Sequence, residues 1–167
     1  MNSMYSMSVP VFVKTLGNLS TILDKAAAYA EAKKVDPAVL LSARLFPDMF
    51  PLTKQVQIAC DFAKGTVSRL AGQEPPKYDD NETTIAELKA RIARTVAFVQ
   101  SFSAEQLAGS EARDVSMKIR DQTLTFKGQP YLAHLALPNF FFHAATAYDI
   151  LRHSGVDLGK RDFIGAV

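Results

Sequence analysis

The sequence has one cysteine, Cys60, so a single chain can form neither an internal disulfide nor a cysteine-rich zinc site. Cys60 lies in the apolar segment Ile58-Ala59-Cys60-Asp61-Phe62 and reads as a small buried side chain. No basic group stands next to it to hold a thiolate nucleophile. No run approaches the roughly 20 apolar residues of a membrane span. The N-terminal segment lacks the basic region and long apolar core of a secretory signal. A cytoplasmic protein is expected. A surplus of either charge is missing too: 19 basic residues face 17 acidic ones, net +2. With no cluster of Lys and Arg, neither nucleic acid nor a membrane surface is expected as a partner. No glycine-rich phosphate loop follows a strand, and no Gly-x-Ser-x-Gly elbow occurs, which removes the familiar nucleotide-binding and serine-hydrolase readings.

What remains is an ordinary globular composition, 48% hydrophobic and 22% charged over 167 residues, enough for one domain spanning 1–167 with its own core. Met1 to Met7 holds three methionines, so a start nearer Met4 or Met7 is an alternative, and the first residues are expected to be loose. Val11, Leu16, Leu19, Leu23, Ala26, Ala27 and Ala30 recur at three- and four-residue steps, the spacing of an amphipathic helix ending near Lys33-Lys34. Asp36-Pro37 reads as an N-cap with proline in the first turn. Pro47 and Pro51 then break the short helix from Pro37 to Leu45.

A second long helix follows from Leu52, Val56, Ala59, Ala63, Val67 and Leu70. After a polar loop with Pro75-Pro76 and Asp79-Asp80, whose acids read as solvated, Thr84 and Glu87 have capping-box spacing for a third helix. Ser103 to Gln106 reads as a further cap. Val115, Met117 and Ile119 alternate with Ser116, Lys118 and Arg120. Leu124 and Phe126 alternate with Thr123, Thr125 and Lys127 after a turn at Asp121-Gln122, a β-hairpin pattern closed by Gly128. A fourth helix is expected from about Gln129 to His153, kinked at Pro138 and capped by Gly155. The fold class is therefore all-α, a four-helix bundle with a small β-hairpin between helices three and four. The loop around Pro75-Pro76 leaves room for a non-simple helix order.

Chemistry is concentrated on the last helix. Asn139 and His143 are four residues apart and share one face of an otherwise apolar helix. His134, His143 and His153 cannot share a metal from one straight helix, since His143 and His153 alone are separated by roughly 15 Å at 1.5 Å per residue. His143 reads either as a hydrogen-bonded core histidine or as a group that binds a ligand or moves a proton. Asn139 doubles as a cap after the kink. Tyr148 stands on a neighbouring face, where its hydroxyl either edges a pocket or packs in the core. Asp48, between two prolines and two aromatics, either caps the second long helix or faces the bundle mouth near Arg44. Gln55 and Gln57 point to different faces, so one of them is a candidate buried polar group. Phe140-Phe141-Phe142 reads as core.

The segments Leu45-Phe46-Pro47-Asp48-Met49-Phe50-Pro51-Leu52 with Gln55-Val56, and Pro138-Asn139-Phe140-Phe141-Phe142-His143 with Ala147-Tyr148 and Ile150-Leu151-Arg152, resemble the DinB/YfiT-like bundle superfamily. The tail from Gly155 to Gly165 fits as well. The closer resemblance is to a bacterial branch known as a domain of unknown function. The resemblance implies a metal held by three histidines, one on helix two and two as His-x-x-x-His on the last helix. It also implies dimerisation, and thiol-dependent transferases or hydrolases among members with the complete set. Here the last-helix pair is Asn139-x-x-x-His143, and the helix-two region reads Gln55-Val56-Gln57-Ile58-Ala59. What the resemblance carries over is the fold and a pocket location.

The expectation is a metal-free, cofactor-free homodimeric bundle that binds a small ligand or acts as a dimeric interaction module. Asn139, His143, Asp48, Arg44 and Tyr148 are its candidate ligand-binding residues, with Arg44 on an anionic group. The alternative is a divergent metal-dependent hydrolase or thiol transferase in which Asp48 or Asp61 joins His143 and Asn139. A third reading has every named polar group satisfied within the core.

Overall fold

The computed structural model describes residues 3–119 and 121–166. The chain forms α1 (Val9–Lys33), α2 (Pro37–Ser42), α3 (Leu52–Leu70), α4 (Ile85–Gln100), β1 (Asp114–Ile119) and β2 (Gln122–Lys127). A single turn α5 (Gly128–Pro130), a π-helical turn (Tyr131–Ala136), α6 (Leu137–His153) and α7 (Lys160–Ile164) follow. The four long helices are α1, α3, α4 and α6. Around the bundle, α3 packs against α4 and α6, and α1 packs against the same two helices. The consecutive helices α1 and α3 are thus diagonal, and α2 with its loop crosses the end of the bundle between them.

The caps expected at Asp36, Thr84, Ser103 and Gly155 form. Asp36 Oδ1 accepts from the Ala38 amide at 2.9 Å. Thr84 Oγ1 accepts from the Glu87 amide at 3.1 Å while the Glu87 carboxylate takes the Thr84 amide at 3.0 Å, the reciprocal pairing that satisfies two orphan donors at a helix start. Ser103 and Gln106 repeat the arrangement at 2.7 and 3.4 Å. Gly155 takes φ +94°, the left-handed conformation open to glycine after a helix end.

Two stripes shift slightly. On α1 the buried position is Phe12, beside the expected Val11, and its ring meets Phe140 of α6 edge-on at 4.8 Å. In the hairpin, Gln122 already pairs with Ile119 and Val115 with Phe126. Gln122 is therefore a strand residue and not part of the turn; Arg120 lies outside the described residues, as do Met1 and Asn2 of the expected loose start.

At Pro138, where a kink is expected, the chain stays helical and the irregularity is a π-helical turn directly before it. Proline supplies no N–H, and its ring crowds the carbonyl four residues back. The turn before it is widened instead: the Leu137 amide bonds the Leu132 carbonyl, five residues back. A π turn of this kind absorbs a register change inside an α-helix. Asn139 is accordingly not a cap. Its Nδ2 donates to the Leu135 carbonyl at 2.7 Å.

The loop between α3 and α4 is a strap rather than a solvated crossover. Asp80 pairs with Lys54 at 2.5 Å, and Gln57 Nε2 donates to Glu82 at 2.8 Å. The strap therefore runs back along α3 to its first turns, so α4 starts beside the start of α3 and runs parallel to it. This is the non-simple helix order for which the long loop left room. Arg91 on α4 clasps the strap. Its guanidinium meets Asp61 at 2.9 Å, Asp80 at 3.0 Å, Glu82 at 3.0 Å and the Asp79 carbonyl at 3.0 Å. Asp79 and Asp80 are exposed, as expected, but the Asp80 carboxylate is also ion-paired. Partial burial alone would raise its pKa, but Lys54 and Arg91 outweigh that and hold it below the usual carboxylate value. Tyr78 lies under three cations, with the Arg94 guanidinium 3.9 Å from its ring centre.

Candidate functional site

The most extensive helix-on-helix packing, α3 on α6, brings His143 to Gln55. Both side chains come from faces that the apolar periodicity turns inward. Gln55 sits in the first turn of α3 and is buried, and Phe62, seven residues on, shares its face. His143 Nδ1 lies 2.7 Å from Gln55 Oε1. Gln55 Nε2 donates in turn to the Phe50 carbonyl at 3.0 Å. The His143 ring stacks on Phe62 with 6.1 Å between ring centres and 19° between planes, and Phe142 meets it edge-on at 5.2 Å.

These contacts fix the protonation pattern. A backbone carbonyl only accepts, so the Phe50 carbonyl selects the amide nitrogen of Gln55 and turns Oε1 toward the imidazole. Oε1 also only accepts, so Nδ1 carries the hydrogen. Burial holds the His143 pKa below its usual 6.5, so the ring is neutral at pH 7. Its lone pair is then on Nε2. Nε2 makes no hydrogen bond among the described residues and is not sealed from solvent.

The other sequence candidates fall on and off this centre. Asn139 is half-buried one turn before His143 on the same face. Its Oδ1 is free among the described residues and is likewise not a sealed, unpartnered atom. Asp48 is exposed and does not cap α3. It stands with Pro47 at the centre of a tight turn closed by the Met49 amide on the Phe46 carbonyl at 3.0 Å, and the residue before α3 is Pro51 with no side-chain cap. Arg44 is exposed and its nearest partner is the Met49 carbonyl at 3.4 Å. Neither contacts His143 among the described residues, but their loop delivers the Phe50 carbonyl that orients Gln55.

Tyr148 is turned away and packs against Phe163 of α7, ring centres 5.9 Å apart. Asp61 is taken by Arg91 and by Lys64 at 3.0 Å. Phe140 is core, but Phe141 and Phe142 are not, with Phe142 57% exposed. Phe50 and Phe46 are 54% and 63% exposed. Cys60 is fully buried and its thiol is pushed up to about 12, chiefly by that burial, so no thiolate nucleophile is available.

Of the five residues on α3 where the resemblance implied a histidine ligand, Gln55 is the one that meets His143. The donor set at the three implied positions is therefore one imidazole and two amides. An amide oxygen is a weak ligand for zinc or nickel, and Gln55 Oε1 is already occupied by the His143 N–H. Among the described residues no group of three His, Cys, Asp or Glu side chains gathers where an ion could bridge them. These residues do not fit the three-histidine ion of the superfamily.

With this geometry in view, comparison with known families is direct. A family model described as a domain of unknown function, DUF1993, matches residues 4–164. The chain belongs to the DUF1993 family. This DUF1993 chain is also similar to a crystal structure described as a DinB family member protein from Shewanella denitrificans. The identity is 47% over 98% of this chain and 93% of that one, with a TM-score of 0.93. The DinB-like bundle with its hairpin is thus shared over nearly the full length. No curated protein matches the chain. No described helix is long and apolar enough to cross a membrane.

Proposed function

We propose that the protein is a metal-free DinB-like bundle that binds a small ligand at the His143 centre. The observation that supports this most is the chain of bonds from Phe50 to Gln55 to His143. With Asn139 it puts amides where two imidazoles were implied, and it leaves the Nε2 lone pair of His143 unpaired among the described residues. Around it stand Asn139 and the aromatic side chains of Phe62 and Phe142. Sparse fixed polar groups in an apolar surround are the usual make-up of a ligand site.

A homodimer belongs to the same reading. The exposed rings of Phe46, Phe50 and Phe142 favour it, since exposed aromatic clusters mark contact surfaces. A cytoplasmic location accords with a lone buried thiol.

The test is elemental analysis of untagged protein, as purified and after loading with zinc, nickel and manganese, together with a thermal-shift screen of small molecules. The reading calls for no metal above background and for stabilising compounds whose effect disappears in His143→Ala. Near-stoichiometric metal lost in His143→Ala would overturn it. Light scattering on the same sample reads the oligomeric state, with a monomer at micromolar concentration contradicting the dimer.

A further inference from the structure

We infer that the His143 centre recognises a protonated primary amine carried on an apolar or aromatic body, and that it discriminates against carboxylates. The inference rests on the ligand-binding reading above and adds its chemical class.

Two backbone carbonyls fix the donors and acceptors of the centre. The Phe50 carbonyl takes Gln55 Nε2, which forces the His143 hydrogen onto Nδ1 and leaves Nε2 as an acceptor. The Leu135 carbonyl takes Asn139 Nδ2 at 2.7 Å, which leaves Asn139 Oδ1 as an acceptor. Residues four apart on a helix have their Cβ atoms roughly 5–6 Å apart. One ammonium nitrogen, with donor–acceptor distances of about 2.9 Å, can therefore reach both acceptors.

Both groups offered outward are thus acceptors. Arg44, the residue the sequence offered for an anionic group, donates instead to the Met49 carbonyl at 3.4 Å. A carboxylate entering here would meet two lone pairs and find no N–H in return, leaving a desolvated anion unpaired. An ammonium has three N–H donors to offer. Phe62, stacked on the His143 ring, and Phe142, edge-on to it, add apolar contact for the body of the ligand.

The test uses three probes with the same phenyl body: benzylamine, benzyl alcohol and benzoate. Each is titrated into the isotopically labelled full chain at pH 7.5, following the side-chain NMR signals of His143 and Asn139. Benzylamine is expected to bind at least tenfold more tightly than benzoate. Asn139→Leu, which keeps the fold by filling the same space without a polar group, is expected to weaken benzylamine at least fivefold. Benzoate binding as tightly as benzylamine, with His143 signals moving, would overturn the amine assignment while the ligand site stands. No movement of the His143 signals with any of the three would overturn both. Unchanged benzylamine affinity in Asn139→Leu would overturn the two-acceptor geometry.

Discussion

His143 and Gln55 are joined by a 2.7 Å hydrogen bond between Nδ1 and Oε1 that spans the α3–α6 seam, 88 residues apart in sequence. The bond ties a titratable ring to a buried amide that is itself anchored on the Phe50 carbonyl. A titratable ring is therefore coupled to the packing of the α3–α6 seam.

That coupling gives a pH dependence. Burial lowers the folded-state pKa of His143 below its usual 6.5. A group with a depressed folded pKa binds fewer protons folded than unfolded between the two values, so stability rises with pH there. This contribution is complete above about pH 6.5 and is lost as the pH falls from there to the folded pKa. The lowered carboxylates Asp80 and Asp162 act in the same direction, but only below their usual 3.8. Urea unfolding of the wild type between pH 7.5 and 5 should show falling stability. The slope should be smaller in His143→Gln, whose side chain stays neutral throughout. Equal slopes in the two proteins would remove His143 as the cause.

The Arg91 clasp carries the strap. Its side chain is 2% exposed and meets three acids, while its Nε is buried without a partner. Removing a buried charge from acids that stay behind costs about 3–5 kcal/mol, toward the low end where the acids are partly exposed. Arg91→Ala should lose about 3 kcal/mol in urea unfolding. Arg91→Lys should lose most of that, because an ammonium cannot span three carboxylates with a planar fork. Hydrogen exchange should quicken over residues 78–82 in both variants.

Gly128 marks the join of hairpin and last helix. A Cβ built there would stand 1.9 Å from the Ser110 carbonyl oxygen, a backbone atom with no flexible end to give way. Overpacking of this kind costs about 1–3 kcal/mol. Gly128→Ala should be destabilised in that range by thermal unfolding, whereas Gly109→Ala should lose less, because no atom lies within 4 Å of the added carbon there and only its φ of +72° opposes the change.

The sequence made the helices legible because their signals are local. Apolar residues at three- and four-residue steps, Asp36 before Pro37, and Thr84 three residues before Glu87 each act within one turn, and each formed as read. The hairpin was legible for the same reason, through period-two alternation paired Val115 to Phe126.

The site was legible only in half. Asn139 and His143 announced a shared face, but the partner of His143 comes from a helix 88 residues earlier, and spacing says nothing of that. Gln55 showed only as one of two glutamines on different faces. The other, Gln57, binds Glu82 of the strap. Asp80 is exposed, as read, but its ion pairs were not legible because Lys54 and Arg91 lie on two other elements. The π turn before Pro138 left no periodic mark, since widening one turn moves the stripe by a single residue.

The measurement closest to the central claim is the tautomer of His143, read from long-range proton–nitrogen correlation on untagged protein at pH 7.5, with and without added zinc. The account predicts a neutral ring with its hydrogen on Nδ1, a bare lone pair on Nε2, and no change on adding zinc at stoichiometric concentration. A hydrogen on Nε2, or a spectrum converted by one equivalent of zinc to a metal-bound ring, would contradict it.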